Sequence, residues 1–292
     1  MRKLNRHLII LLLLAGVLLC ICYGSERRRG VPKFDRIVVV IEENRAYSNI
    51  IGDLADAPFI NATLVPRTAV MTNFHAEAHP SEPNYFALYA GSTFGVSNDG
   101  NYNEPDPSLY TILGDSVPSL TFAGYVESSG TNARDGTTLA VRKHNPWESF
   151  PEGKRAEKDF SSFPDDFTQL PVVCWVIPNL NNDMHDGTIA VGDAWLKNHI
   201  SAYATWCQTH NSLLIITWDE DDSKNLVPNR IPTLVMGQHV KPGTYSENVN
   251  HYNLLFDHPS VSGPKGTTQS SNCSANHQYI QHYGAVTYGM PK

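Results

Sequence analysis

Short, continuous apolar runs, each followed by polar residues, recur along this chain. Residues 36–41 (RIVVVI), 170–177 (LPVVCWVI) and 213–218 (LLIITW) are rich in β-branched residues and do not alternate with polar ones. That pattern is typical of strands that are covered on both faces, as in a parallel sheet. Residues 189–206 instead have apolar positions at helical spacing. We therefore predict an α/β fold with a mainly parallel central sheet flanked by helices.

Weaker patterns complete the predicted sheet and its connections. Residues 69–74, 119–126 and 231–237 are further apolar segments that we predict as strands. Segment 98–107 is rich in Asn, Asp, Gly and Pro, which predicts a surface loop. The charged, proline-interrupted segment 152–166 is predicted to be a lid or a crossing loop.

One predicted helix begins with residues that could carry chemistry. Ser81 precedes a Glu-Pro pair and an apolar segment that ends at Gly91. Proline in the first turn and glycine past the end are boundary signals, so Ser81 is expected at or near the helix N-cap. Its hydroxyl would then either cap the helix or lie beside free backbone N–H groups that attract a phosphate.

Polar side chains follow three predicted strands at the point where each strand ends. Glu43 and Asn44 follow the first strand, Asp183 and His185 follow 170–177, and Asp219 with Glu220 follows 213–218. Ligands bind beyond the carboxyl ends of parallel strands, so these residues are expected to meet. Carboxylate and amide oxygens suit hard divalent cations, whereas histidines suit softer metals or proton transfer. Taken singly, each of these clusters would be interpreted as ordinary solvated loop residues. Together with Ser81, they predict a cation-assisted site.

The amino terminus has the pattern of an export signal. Three basic residues precede an apolar run over 8–22, and small or polar residues follow at Gly24 and Ser25. The run is short for a transmembrane span, so we predict a signal peptide at 1–24, one domain at 25–292 and a secreted protein. The arginines at 27–29 leave an uncleaved, membrane-anchoring signal as an alternative.

Charge and cysteine content exclude some classes of partner. Removing residues 1–24, which contain three basic and no acidic residues, changes the formal net charge from −7 to −10. Nucleic-acid binding requires a positive surface, so we expect no nucleic-acid partner. Cys174, Cys207 and Cys273 remain after cleavage, allow at most one disulfide and lack metal-ligand spacing.

The motifs resemble a known family, the phosphoesterase family of bacterial acid phosphatases and phospholipases C, in the alkaline-phosphatase-like superfamily. Within it, the chain is most similar to secreted acid phosphatases, and the similarity covers residues 34–255. The tail, 256–292, departs from the family's pattern. The segments that carry the resemblance are 37–45 (IVVVIEENR), 79–91 (HPSEPNYFALYAG), 143–147 (KHNPW), 178–196 (PNLNNDMHDGTIAVGDAWL), 217–222 (TWDEDD) and 251–253 (HYN).

The resemblance implies a nucleophile and a metal site. Ser81 matches the nucleophile, and the implied metal ligands are Glu43, Asn44, Ser81, Asp219 and Glu220. A ligand set made of oxygen atoms fits a hard divalent cation, Ca²⁺ or Mg²⁺, although other divalent ions stay open.

The resemblance also implies residues that contact or protonate the substrate. Asn84 would donate to a nonbridging phosphate oxygen, while His144 and His185 would contact the phosphate or protonate the leaving group. His79, Asp183 and His251 are further candidates.

The implied activity is that of a secreted acid phosphatase, in which a metal-activated Ser81 forms a phosphoserine that water then hydrolyses. Because protonated histidines assist the leaving group, we expect an acidic pH optimum. The expected partner is a phosphate monoester, either a small molecule, including a phosphoinositide, or a phosphoprotein, and no membrane span is expected after signal cleavage. One alternative is a phospholipase C-type phosphodiesterase, and another is an inactive exported binding protein with the same fold. The intact Ser81 and carboxylates favour an enzyme, and the short chain favours a monoesterase.

Overall fold

The computed structural model describes residues 34–255, apart from 106, 117–118, 130–138 and 223–228. The predicted signal peptide at 1–24 and the atypical tail at 256–292 lie outside the described residues. In the described part of the chain, no helix is long and apolar enough to cross a membrane.

A central sheet of eight strands has the order β5-β4-β6-β1-β7-β8-β2-β9, and β10 pairs separately with β3. Its neighbouring strands are parallel, except that β8 is antiparallel to β7 and β2. This confirms the predicted mainly parallel sheet. The strands are β1 (Arg36–Glu42), β2 (Ala69–Met71), β3 (Phe74–His75), β4 (Phe122–Val126), β5 (Glu157–Asp159), β6 (Val173–Ile177), β7 (Ser212–Trp218), β8 (Thr233–Met236), β9 (Gly243–Tyr245) and β10 (Val249–Asn250).

Helices lie on both sides of the sheet. The longest, at 189–206, begins and ends at the predicted residues, and the helix at 81–90 ends where Gly91 takes a left-handed conformation. The α-helices are α1 (Tyr47–Ile50), α2 (Ser81–Ala90), α3 (Leu109–Gly114), α4 (Ile189–Trp206) and α5 (His251–Leu255).

The surroundings of strand β1 explain why its residues 37–41 are continuously apolar. Val39 and Ile41 pack in the core that contains α2, while Val38 and Val40 pack in the core that contains α4. β1 also has a neighbour on each side, β6 and β7. A strand covered on both faces has no solvent-facing positions, so no alternation is visible in its sequence.

Part of the segment predicted as a lid or crossing loop is a strand, so that prediction is wrong for residues 157–159. They form β5, which is parallel to β4 at the edge of the sheet. An edge strand that is mostly exposed needs no apolar side chains, so the hydrophobic pattern does not reveal it.

The strand order determines where the site forms. β6, β1 and β7 are adjacent and parallel, so their carboxyl ends lie at one edge of the sheet. The polar residues after each of these strands therefore meet there, as the sequence predicts.

Candidate active site

Ser81 begins α2, and its side chain does not cap the helix. Pro80 occupies the N-cap position, and no side-chain cap is present. The Ser81 hydroxyl is instead fully buried and lies 3.1 Å from Glu220 Oε1 and 3.4 Å from Glu43 Oε2. The capping role is therefore excluded in favour of contact with the carboxylates.

Glu43, Asn44 and Asp219 bring oxygen atoms to the same place. The Asn44 backbone N–H donates to Asp219 Oδ1 at 3.1 Å. The side-chain oxygen of Asn44 faces acceptors, 2.9 Å from Glu43 Oε2 and 3.0 Å from Asp219 Oδ1. Without a cation, the amide would turn over and donate to both carboxylates. With a cation, the same oxygens would be its ligands. All five predicted ligands thus lie together at this edge of the sheet.

A second possible metal-binding group combines Glu43 with His144 and Asp183, which come from other segments of the chain. Glu43, His144 and Asp183 are buried and could hold a metal ion together. His144 Nε2 lies 3.3 Å from Glu43 Oε1, and His144 Nδ1 lies 3.8 Å from Asp183 Oδ2. Neither His144 Nε2 nor Asp183 Oδ2 has a hydrogen-bond partner among the described residues. Because buried polar atoms are rarely unpaired, these atoms are also suited to a bound ion or substrate.

Tyr85 is a residue of the site that the sequence analysis missed. Its hydroxyl donates a short hydrogen bond to Glu43 Oε1, and its ring stacks on His144 with centroids 5.3 Å apart. The helical spacing between Ser81 and Tyr85 could have revealed it, because residues four apart lie on one face of a helix.

Burial and mutual repulsion raise the pKa values of the site's carboxyl groups. Burial raises the pKa of Glu43, and Asp219 and Asp183 raise it further. Burial also raises the pKa of Asp183 and of Asp219, and burial and Asp219 raise that of Glu220 to about 9. Such a group of carboxyls binds protons when no cation is present, and a divalent cation would allow the carboxylates to ionise. The donor set therefore fits a hard divalent cation.

The histidines of the site differ in exposure. His144 is 2% exposed, and burial, Lys143 and His185 lower its pKa well below the usual value. The His185 side chain is 28% exposed, and its Nδ1 lies 2.7 Å from Asp186 Oδ1. The two rings are 5.9 Å apart. His79 makes a short contact with Glu220 Oε2.

Asn84 has a structural role here. Its oxygen accepts from the backbone N–H groups of Glu77 and Ala78, and its amide nitrogen donates to the carbonyl oxygens of Ala78 and Pro80. Both amide hydrogens are therefore used, and donation to a phosphate would require these bonds to break. Asn84 holds the turn that precedes Ser81.

His251 connects the turn before Ser81 to the end of β7. Its Nδ1 lies 2.7 Å from Glu77 Oε2, and its Nε2 lies 3.0 Å from the carbonyl oxygen of Trp218, the residue before Asp219. The ring is completely buried. Among the described residues, its ring nitrogens contact Glu77 and the Trp218 carbonyl oxygen and neither Ser81 nor the site's carboxylates, an arrangement that favours positioning over direct contact with a substrate.

The backbone at the site adopts unusual conformations. Asn44 and Met184 have positive φ angles of 37° and 75°, which cost free energy and often occur at functional sites. A Cβ atom on Gly187 would lie 1.9 Å from the carbonyl oxygen of Asn181. Glycine is therefore required in the turn that carries Asp183 and His185.

Comparison with known proteins shows which sequences and folds this chain resembles. The sequence profile of the Phosphoesterase family matches residues 56–262. The chain is 42% identical, over 92% of its own length and 92% of the relative, to a phosphatidylinositol-3-phosphatase from Mycobacterium tuberculosis. It is 30% identical to an acid phosphatase from Aspergillus fumigatus, over 73% of this chain and 52% of the relative. The chain thus spans about half the length of that fungal relative.

Two solved structures with little sequence identity share the fold. A lipoteichoic acid synthase from Listeria monocytogenes matches with a TM-score of 0.56 at 12% identity, over 84% of this chain and 78% of that one. A protein of the alkaline phosphatase superfamily from Vibrio parahaemolyticus matches with a TM-score of 0.52 at 11% identity, over 77% and 65%. The predicted alkaline-phosphatase-like architecture is confirmed.

Proposed function

The chain belongs to the Phosphoesterase family and is a hydrolase of phosphoric esters, and we propose that it is a secreted acid phosphatase that cleaves monoesters through a phosphoserine at Ser81. One observation carries this proposal. The Ser81 hydroxyl is buried on the first turn of α2 and faces the carboxylates of Glu43 and Glu220 rather than the helix backbone.

The names of the relatives support the monoesterase. The mycobacterial relative, similar along nearly its whole length, is a phosphatidylinositol-3-phosphatase, and the fungal relatives are acid phosphatases. We propose a phosphate monoester as the substrate, and a phosphoinositide is one candidate.

We propose that Glu43, Asn44, Ser81, Asp219 and Glu220 hold a divalent cation, with Ca²⁺ or Mg²⁺ the best match to oxygen ligands. The convergence of their oxygens supports this set. His144 and Asp183 are close enough to Glu43 to contribute. A bound divalent cation would lower the pKa of the Ser81 hydroxyl and offset charge on the transferring phosphoryl group.

The chain's own residues would divide the remaining work. Glu220 Oε1 accepts the hydrogen bond from Ser81, and its carboxylate, ionised when a cation is bound, would take the Ser81 proton as Oγ attacks phosphorus. His185 is the better candidate to protonate the leaving group, because its ring is partly exposed and Asp186 holds its Nδ1. His144, buried and with a lowered pKa, is neutral in the free protein and is suited to contact the metal or the phosphate. Asn84 and His251 position the turn that carries Ser81.

We further propose that residues 1–24 are removed on export and that residues 25–292 form the mature enzyme. Sequencing the amino terminus of protein recovered from culture medium tests this proposal directly.

The test of the activity compares p-nitrophenyl phosphate with bis-p-nitrophenyl phosphate, from acid to neutral pH, with and without a chelator. Ser81→Ala is the test variant, and Ser48→Ala, which alters an exposed serine on α1, is the matched control. We expect faster monoester hydrolysis at acid pH, lost in Ser81→Ala and in chelator but kept in Ser48→Ala. Preference for the diester would indicate a phosphodiesterase, and a folded protein active on neither substrate would indicate a binding protein.

A further inference from the structure

Lys143 lies beside the candidate active site, and the mechanism proposed above does not use it. It precedes His144, whose Nε2 is 3.3 Å from Glu43 Oε1. Its Nζ lies 3.0 Å from Asp99 Oδ2, and its side chain is 25% exposed. The ammonium group is therefore near the site and accessible from solvent.

Asp99 connects Lys143 to the helix that carries Ser81. Its other oxygen, Oδ1, accepts a hydrogen bond at 3.1 Å from the backbone N–H of Glu82, the residue after Ser81. One carboxylate group thus bridges the Lys143 ammonium and the first turn of α2. A phosphoryl group also presents several anionic oxygens, so an anion bound at Ser81 would meet the same ammonium.

The charge of the site explains why such a cation is needed. Ser81 lies beside the buried carboxyl groups of Glu43, Asp219 and Glu220, and a divalent cation balances only two of the three charges that they carry when ionised. A phosphate monoester brings up to two further negative charges to the reacting group, whereas a diester brings one. A positive side chain therefore matters more for a monoester than for a diester.

Lys143 keeps its charge in these surroundings. Its Nζ is paired with Asp99 Oδ2, and the ordinary pKa of a lysine side chain is about 10.4. The ammonium group is consequently protonated throughout the acid and neutral range, where the enzyme is proposed to work.

We propose that Lys143 binds a nonbridging oxygen of the substrate's phosphoryl group and gives the site its preference for dianionic monoesters over monoanionic diesters. This inference rests on the proposed phosphatase function and deepens it. Lys143 exchanges Asp99 Oδ2 for a phosphoryl oxygen when substrate binds. No bond is made or broken in this exchange apart from hydrogen bonds.

The experiment compares Lys143→Met and Lys143→Arg with wild type on p-nitrophenyl phosphate and bis-p-nitrophenyl phosphate. The assays use one cation concentration and a pH at which the monoester is dianionic. Lys241→Met is the matched control, because Lys241 is exposed in the loop between β8 and β9. Lys143→Gln serves in place of Lys143→Met if that variant does not fold. If the wild-type enzyme does not turn over the diester, its inhibition constant against the monoester replaces kcat/KM.

We expect Lys143→Met to lower kcat/KM for the monoester by about 100-fold, the scale for losing one stabilising donor, and for the diester by about 10-fold or less. Lys143→Arg, which keeps the charge, should restore most of the monoester activity, and Lys241→Met should resemble wild type. Equal losses on both substrates, no loss, or an arginine variant as poor as the methionine variant would overturn the inference. Wild-type inactivity on both substrates would instead overturn the proposed function.

Discussion

The hydroxyl of Ser81 lies 3.1 Å from Glu220 Oε1, although the two residues are 139 positions apart in the chain. Ser81 begins α2, and Glu220 follows β7, so the contact joins a helix start to a strand end. It places an oxygen nucleophile within a group of buried carboxyl groups. Such a group is unfavourable without positive charge, which makes the stability of the protein depend on cations and on pH.

Cation binding should stabilise the protein more at higher pH. The pKa values of Glu43, Asp183, Asp219 and Glu220 are raised by folding. The cation-free folded state therefore binds more protons than the unfolded state, and its stability falls as pH rises above the unfolded pKa values. A divalent cation replaces those protons. We expect Ca²⁺ or Mg²⁺ to raise Tm by several degrees more at pH 8 than at pH 5, relative to chelator.

The control for this measurement is Glu43→Gln, which removes the carboxylate shared by both ligand groups. We expect this variant to lose most of the cation-dependent rise in Tm at both pH values. A cation effect that is unchanged in Glu43→Gln would contradict the proposed site.

Glu42 offers a second, separate test of buried charge. The side chain is completely buried, and neither of its carboxyl oxygens has a hydrogen-bond partner among the described residues. Burial, and then the charge of Asp183, raise its pKa well above the usual value. By the same sign rule, the stability of the wild-type protein declines as pH rises above the unfolded pKa, because Glu42 ionises in the unfolded state and stays protonated in the folded state.

Glu42→Gln keeps the shape and cannot ionise, so its stability relative to wild type should increase with pH. The advantage should grow between pH 5 and pH 7.5, by at most about 1.4 kcal/mol per pH unit. Urea unfolding in chelator at several pH values measures it. Glu152→Gln, at an exposed ion pair with Arg155, should give no such trend. A constant difference between Glu42→Gln and wild type would argue against a buried, protonated Glu42.

Ser81 and the residues that follow the central strands illustrate how much of the site a sequence can predict. The polar residues that follow β1, β6 and β7 could be predicted to meet, because parallel strands place their carboxyl ends at one edge of the sheet. Ser81 could be placed at a helix start. Its choice between capping α2 and contacting Glu220 depends on residues 139 positions away, which no local pattern records.

Asn84 and Tyr85 show that hydrogen-bond partners could not be predicted from the sequence. The family resemblance implies a phosphate contact for Asn84, but both of its amide hydrogens are donated to carbonyl oxygens of the preceding turn. Tyr85 looks like a core aromatic from its apolar neighbours, yet its hydroxyl donates to Glu43. Hydrogen-bond partners depend on side-chain positions in three dimensions, and the hydrophobic pattern carries no information about them.

His251 and Glu77 should affect turnover through position rather than chemistry. Their ion pair ties the turn before Ser81 to the end of β7. His251→Gln and Glu77→Gln should each lower kcat by up to about 100-fold, the scale for small misplacement of reacting groups, with a smaller change in KM. Since the two residues act as one unit, the kcat of the double variant should be no lower than that of the less active single variant.

Steady-state kinetics at the optimum pH test this pair, with His210→Gln as the control because His210 is an exposed histidine in the turn after α4. Additive losses in the double variant, or an increase in KM at unchanged kcat, would be inconsistent with a positioning role.

The close contact between β4 and Trp147 should prevent a larger side chain at Gly124 from fitting without strain. A Cβ atom on Gly124 would lie 2.2 Å from the buried ring of Trp147. Gly124→Ala should therefore destabilise the fold by about 1–3 kcal/mol, the usual cost of overpacking. Gly114→Ala at the end of α3 has no neighbouring atom within 4 Å and should be neutral or slightly stabilising. Equal unfolding free energies for the two variants, measured in denaturant, would contradict this packing.

We expect Ser81 to become covalently phosphorylated during turnover. The most direct measurement mixes enzyme with an excess of a phosphorus-labelled monoester at acid pH, stops the reaction with strong acid and maps the labelled peptide. We predict label on the peptide that contains Ser81, in wild type and in Ser48→Ala, and none in Ser81→Ala. Label on a different residue, or monoester turnover by Ser81→Ala at the wild-type rate, would contradict the account.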